Sequence, residues 1–344
     1  MRSGDLNATL PQEDIPVLLT IFNRPDKTKA VMENLQLIKP SRLFVSADGP
    51  RREWPEDAEK CRLARLEATS VEWECDVKTR FIEDNIGCDQ AVPSAIDWFF
   101  QHVDYGIILE DDCIIHPNFF PFCGELFERY SDDQRIMQIS SFSPYAARQY
   151  RYDYHFSRVF RCSGGWGTWR SAWKHFTSDM HRYDNTDALT ILKAYQLDYF
   201  ESLMKYRALI AYNNASSITY IGGDFLKTWR ADYLKLYWGH WDYQWNMACS
   251  AQNGLCIVPE KNLMLNIGFD EDATNTKRMV AVFDGIKVQP LRFPLRHPSF
   301  VYADNLPERS LERKIFRSLP LKNRCTYLLR RALGAALYFR DILP

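Results

Sequence analysis

Tyr105-Gly-Ile-Ile-Leu109 runs without a break into Glu110-Asp111-Asp112. An apolar run this short reads as a strand buried on both faces, because a helix needs ten or more residues to bury a stripe. Upstream, Ile15-Pro-Val-Leu-Leu-Thr-Ile-Phe22 has the same character, and Asn23-Arg-Pro-Asp26 breaks it. Between the two runs the pattern alternates. Lys27 to Leu37 has helical apolar spacing at Ala30, Val31, Leu35 and Ile38, and Pro40 stops it. Leu43-Phe-Val-Ser-Ala47 is a strand ending in the turn sequence Asp48-Gly49-Pro50. A charged helix over 54–69, a strand from Val77 to Ile82 and a helix from Asp89 to Val103 follow. This alternation predicts an α/β fold: a Rossmann-like, mostly parallel open sheet with helices on both faces. Such sheets bind ligands at the carboxyl ends of their strands. Asn23-Arg24, Asp48 and Glu110-Asp111-Asp112 all stand at strand ends.

Composition narrows the class. With 46% hydrophobic and 25% charged residues over 344 positions, the chain is globular and long enough for a large core. The net charge of −1 leaves no overall nucleic-acid footprint. The charge is uneven, however. Nine basic residues between Arg309 and Arg340 face only Glu308, Glu312 and Asp341, a local charge of +6. Apolar spacing over 308–340 predicts one or two basic amphipathic helices. They suit either a membrane surface rich in anionic lipid or simple docking with a solvated basic face. Nine cysteines without a zinc-type CxxC pair suggest free thiols in a reducing compartment. The N-terminal residues lack the apolar core of a secretory signal, and no apolar run approaches the ~20 residues of a membrane span. The expected location is cytoplasmic, with peripheral contact to the inner face of the cytoplasmic membrane. No G-x-G-x-x-G follows the first strand and no G-x-x-x-x-G-K-[ST] occurs, which argues against a dinucleotide dehydrogenase and a P-loop ATPase.

Three consecutive carboxylates repel one another unless a cation relieves them. Hard oxygen ligands suit Mn²⁺ or Mg²⁺, ions that take one or two protein carboxylates and fill their shell with water and phosphate oxygens. The competing assignment has Asp111 or Asp112 capping a helix that begins near His116-Pro117. A single carboxylate among aromatics suits a general base, since desolvation raises its pKa. Asp242 fits, flanked by Trp238, Trp241, Tyr243 and Trp245, although it also suits a plain helix cap beside core tryptophans. Ser163-Gly-Gly-Trp-Gly-Thr-Trp169 reads as a loop whose backbone approaches a sugar at Gly165 and whose Trp166 stacks on it, or else as a turn with two core tryptophans. Asp270, Glu271 and Asp272 are rival acids in a polar loop after Asn266. His116, His155, His175 and His240 are isolated and read as filling.

The segment Glu110-Asp-Asp-Cys-Ile-Ile-His-Pro-Asn-Phe-Phe120 resembles the metal-site segment of GT-A glycosyltransferases, notably the inverting β-1,2-N-acetylglucosaminyltransferases of type one. It is also similar to bacterial nucleotide-diphospho-sugar transferases called "hemolytic protein"-like. The likeness spans about Pro16 to Thr276. It implies a GT-A fold, with Arg24 on the nucleotide and Asp48, in Val45-Ser-Ala-Asp48, on the uracil. It further implies Asp112 as the Mn²⁺ ligand, Glu110 and Asp111 as donor contacts, and Asp242, in Trp241-Asp-Tyr-Gln-Trp245, as catalytic base. A Gly-rich aromatic loop occurs in that family where Gly165 and Trp166 stand. A His of the bacterial relatives is replaced here by Asn275.

The expected organisation is a leader over 1–14, a nucleotide-sugar-binding half over 15–125, an acceptor-binding and catalytic half over 126–276, an extension over 277–304 and a basic helical tail over 305–344. The expected activity is metal-dependent, inverting transfer of a hexose from a UDP-sugar, with UDP-GlcNAc suggested, to a glycan or lipid-linked acceptor in polysaccharide biosynthesis. The rivals are a sugar nucleotidyltransferase, whose early Gly-rich loop is missing from Ile21-Phe-Asn-Arg-Pro25, and a non-catalytic carbohydrate-binding or toxin-like protein.

Overall fold

The computed structural model describes residues 14–145, 151–162, 164–179, 240–268, 286–304, 306–307 and 310–311. The chain begins with the expected alternation: β1 (Val17–Ile21), α1 (Pro25–Ile38), β2 (Arg42–Ala47), α2 (Glu56–Thr69), β3 (Asp76–Phe81), α3 (Cys88–Phe99) and β4 (Tyr105–Glu110). It continues with β5 (Cys113–Ile115), α4 (Phe119–Arg129), β6 (Ile136–Ser140), β7 (Tyr154–Ser157), β8 (Trp166–Trp169), α5 (Arg170–Trp173), α6 (Trp241–Ala251), β9 (Leu255–Pro259) and β10 (Met264–Asn266). α1 stops at Lys39, which turns left-handed as the C-cap and donates its N–H to the Leu35 carbonyl, and Pro40 follows where the helix cannot continue.

Eight strands form one sheet in the order β3-β2-β1-β4-β8-β6-β9-β7. β3, β2, β1 and β4 are mutually parallel, β8 runs against both β4 and β6, β9 is parallel to β6, and β7 closes the edge antiparallel. The fold is therefore α/β with a mixed sheet whose first four strands are parallel. The same sheet continues through both halves of the chain.

Alternation along the strands fills two cores. Val17, Leu19 and Ile21 of β1 face α1, α2 and α4, while Leu18 faces α3 and α6. Helices thus cover both faces, as the buried runs demand. The second core is rich in aromatics: Trp166, Trp173, Trp241 and Trp245 pack together, with ring centroids 5.1–6.3 Å apart.

The stretch 164–169 corrects one expectation. Gly164 and Gly165 precede a strand, and Trp166 opens β8 between β4 and β6. The glycine is there for packing, since a Cβ on Gly165 would stand 2.5 Å from both Ile115 and Leu109 side chains. α3 also stops at Phe99, short of the expected Val103. The leader to residue 13, Ser163, Trp238, the acids Asp270, Glu271 and Asp272, Asn275 and the tail from 312 onward lie outside the described residues. Among the described residues no helix is long and apolar enough to cross a membrane, and the eight described cysteines are free thiols.

Candidate functional site

The chain winds outward from β1 to β2 and β3, then crosses back to lay β4 on the other side of β1. The sheet order therefore reverses between β1 and β4, the kind of switch point where a crevice opens at the carboxyl strand ends. Thr20 of β1 lies opposite Glu110 of β4, and the Thr20 hydroxyl donates to the Leu109 carbonyl at 3.2 Å. Residues just beyond these two strand ends must meet.

They meet as a charge cluster. The Arg24 guanidinium pairs with Asp111 through Nη2 and, at 3.4 Å, through Nε, while its Nη2 also donates to Asp112 Oδ2 at 3.1 Å. Asp111 further accepts the Phe22 N–H at 3.4 Å. Neither aspartate caps α4: β5 intervenes, and the residue at the helix start is Asn118. β10 pairs with β5 and brings 264–268 over the cluster. There Asn266 Nδ2 donates to Asp112 Oδ1 at 3.3 Å, and its own Oδ1 accepts the Gly268 N–H at 2.7 Å. A Cβ on Gly268 would lie 2.1 Å from Asp112 Oδ2 and 3.0 Å from Arg24 Nη1, so only glycine lets the chain pass so close.

The electrostatics follow from this crowding. Burial pushes the Glu110 carboxyl up to about 8, the charges of Asp112 and Asp111 add to the rise, and Arg24 opposes it. Burial likewise raises Asp111 to about 6 against the pull of Arg24. Burial alone would lower the Arg24 pKa, but the two aspartates reverse that and raise it, so the guanidinium is permanently charged. Up to three negative charges share one positive charge. The shortfall and the hard oxygen donors fit a divalent ion of the Mg²⁺ or Mn²⁺ type. Among the described residues no three His, Cys, Asp or Glu side chains already form a cage. An ion here would take one or two protein ligands, with Asp112, the more exposed of the paired aspartates, as the natural first.

Asp242 stands in the first turn of α6. Burial raises its pKa, with His240 opposing, and its charge in turn contributes to the rise at Glu110 and at Cys88. It therefore belongs to the same polar region. Its helix is tied to the start of α3: Asp89 Oδ1 accepts the Trp241 N–H at 3.4 Å and lies 3.7 Å from His240 Nδ1. Cys88 lies beside them, its thiol pushed up to about 11 by partial desolvation and by the charges of Asp89, Glu110 and Asp242.

Three expected contacts are taken up by the protein's own groups. Asp48 is buried, and both its oxygens are engaged: Oδ1 accepts the Gly49 and Ile86 N–H groups at 2.8 and 3.0 Å, and Oδ2 accepts the Gly87 N–H and the Asn85 amide at 3.0 and 2.9 Å. It staples the loop before α3 rather than presenting a free carboxylate to a base. Trp166 is 1% exposed in the tryptophan core and offers no face for a sugar to stack on. Gly165, likewise buried, packs against Leu109 and Ile115.

Sequence reading passed over Asn266 and Gly268 as ligand neighbours, Asp89 and His240 as the link between α3 and α6, and Arg51 with Asp57. The Arg51 guanidinium sits over the Phe22 and Trp54 rings at 5.4 and 4.6 Å and binds the buried Asp57 at 2.5 Å, while Asn23 donates to the same carboxylate at 2.6 Å. The one readable signal was Asn23 beside Arg24 at a strand end.

No family model matches the chain, and no curated protein matches it. Among solved structures it is similar to a UDP-glucose pyrophosphorylase complexed with UDP-glucose, at 8% identity and a TM-score of 0.27, over 47% of this chain and 78% of that one. A likeness that faint bears on neither activity nor ligand.

Proposed function

We propose that this chain is a metal-dependent, inverting glycosyltransferase that moves a sugar from a nucleotide-diphosphate donor, a UDP-sugar by preference, to a glycan or lipid-linked acceptor. The observation that carries the reading is the meeting of Arg24, Glu110, Asp111 and Asp112 at the switch point, with the half-buried Asp242 close enough to act on Glu110. A guanidinium beside carboxylates short of positive charge suits an anionic diphosphate together with a cation. Asp112 would hold the metal, with Glu110 and Asp111 towards the donor. When bound, a divalent ion would supply Lewis-acid stabilisation of the leaving diphosphate. Asp242 then serves as base: the acceptor hydroxyl oxygen bonds to the anomeric carbon, the bond to the diphosphate oxygen breaks, the hydroxyl proton passes to Asp242, and the nucleotide diphosphate leaves. The basic tail supports a peripheral location on anionic lipid.

A screen of nucleotide sugars with Mn²⁺ tests this. Transfer to an acceptor, or slow hydrolysis without one, is expected. Asp242→Asn should leave donor affinity unchanged and slow transfer by orders of magnitude. Because the base must be ionised and burial raises its pKa, wild-type turnover should climb with pH. Near-normal turnover in the variant would remove Asp242 from the role. Incorporation of a nucleoside triphosphate with release of pyrophosphate would instead make the protein a nucleotidyltransferase.

A further inference from the structure

The carboxylate assigned to the metal already has a partner. Asp112 Oδ2 accepts from Arg24, and its Oδ1 is met by the Asn266 amide at 3.3 Å and the Cys113 thiol at 3.3 Å. Arg24 cannot simply lean aside, because Asp111 grips the same guanidinium and Gly268 passes directly over it. A dication that reached Asp112 with Arg24 still in place would sit beside a fixed positive charge in a buried pocket. Dragging Arg24 away with nothing to receive it would leave Asp111, with a side chain 4% exposed, stripped of its partner. A diphosphate can receive the guanidinium, while the dication that comes with it neutralises the aspartates left behind. The diphosphate oxygens accept the planar guanidinium fork as well as carboxylates do, and they bring the negative charge that a metal and an arginine can share.

We propose, on the strength of the glycosyltransferase reading, that Arg24 is a resident counter-cation that blocks the metal position on Asp112 and is drawn off by a diphosphate. Metal and nucleotide diphosphate then bind as a linked pair. The linkage is reciprocal: whatever factor UDP adds to the affinity for Mn²⁺, Mn²⁺ adds to the affinity for UDP. Arg24 acts as a positioning residue, separate from the chemistry at Asp242.

The test measures free Mn²⁺ by electron paramagnetic resonance with the whole chain, with and without UDP, corrected for the complex of Mn²⁺ with UDP in solution. In the wild type, UDP should strengthen Mn²⁺ binding at least tenfold. In Arg24→Met, which keeps the apolar stem and removes the charge, Mn²⁺ alone should bind at least tenfold more tightly than to the wild type, and UDP should strengthen that binding by a smaller factor than it does in the wild type. Should that variant fail to fold by circular dichroism, Arg24→Lys is the replacement. It keeps a charge on Asp111 without the fork that also reaches Asp112, and must still bind Mn²⁺ alone more tightly than the wild type. Unchanged or weaker binding of Mn²⁺ alone in the folded variant overturns the proposal and leaves the glycosyltransferase reading standing, as does independent binding of Mn²⁺ and UDP to the wild type. If neither protein binds Mn²⁺ under any condition, the metal-dependent reading falls and the proposal falls with it.

Discussion

Replacing Asp48 by Asn separates a structural staple from a ligand contact. The carboxylate accepts four hydrogen bonds, at 2.8, 2.9, 3.0 and 3.0 Å, from three backbone N–H groups and the Asn85 amide. An asparagine keeps the shape, one acceptor oxygen and none of the charge. Its amide nitrogen must face two donors, so two bonds are lost and the other two cease to be charge-assisted. The gentlest outcome places that nitrogen at the Oδ2 position, where Asn85 can flip and offer its oxygen. Even then the partly buried Gly87 N–H is left without its acceptor, and Asn85 gives up its bond to the Gly49 carbonyl. A charge-assisted bond is worth about 1.5–3 kcal/mol and a neutral one about 1 kcal/mol, so the net loss should be about 2–4 kcal/mol. Urea unfolding followed by tryptophan fluorescence would show it as a lower midpoint with an unchanged slope. A loss under about 1 kcal/mol, accompanied by a collapse of UDP affinity, would refute the reasoning and return Asp48 to the uracil.

Two further outcomes follow from burial. The Glu110 carboxyl is raised to about 8, so the folded chain holds that proton more tightly than the unfolded chain does. Stability in chelator should therefore fall as pH rises from the ordinary glutamate range towards 8, and Glu110→Gln should flatten that slope and be more stable at pH 8 by about 2–4 kcal/mol. An identical pH profile in the variant contradicts this. Trp166→Phe should cost about 1–3 kcal/mol of stability, since it leaves a gap among Trp173, Trp241 and Trp245. UDP affinity should stay within about twofold, a free-energy change below about 0.5 kcal/mol. A tenfold loss of affinity at unchanged stability would make Trp166 a ligand platform after all.

The first half of the fold is readable because β1, β2 and β4 are short apolar runs buried on both faces and α1 and α3 carry an apolar stripe at helical spacing. The sequence makes α3 look longer than it is because Phe100 and Val103 remain buried after the helix has ended, so the apolar pattern outlasts the hydrogen bonds. The sequence of β8 reads as a loop because the glycines in and before it look like turn residues. They are demanded by close packing against Leu109, Ile115 and Phe127, and that crowding comes from two strands and a helix distant in sequence. The acids of the site were visible as a run at a strand end. Their partner was visible only as a lone arginine, because 87 residues separate Arg24 from Asp111. The staple at Asp48 was hidden for the same reason: two of its donors, Ile86 and Gly87, are 38 and 39 residues away. Spacing along a chain reports its local partners, whereas a carboxylate's job is set by which distant donors the topology delivers.

The most direct measurement is the thermal stability of the wild type and of Asp112→Ala with UDP, with Mn²⁺ and with both. Asp112→Ala keeps the pair between Arg24 and Asp111, so the variant should fold. UDP with Mn²⁺ should raise the melting temperature of the wild type well beyond the effect of either alone, and should leave the variant unmoved. A wild type indifferent to UDP with Mn²⁺, or a variant that responds as fully as the wild type, would contradict a diphosphate site built on Asp112.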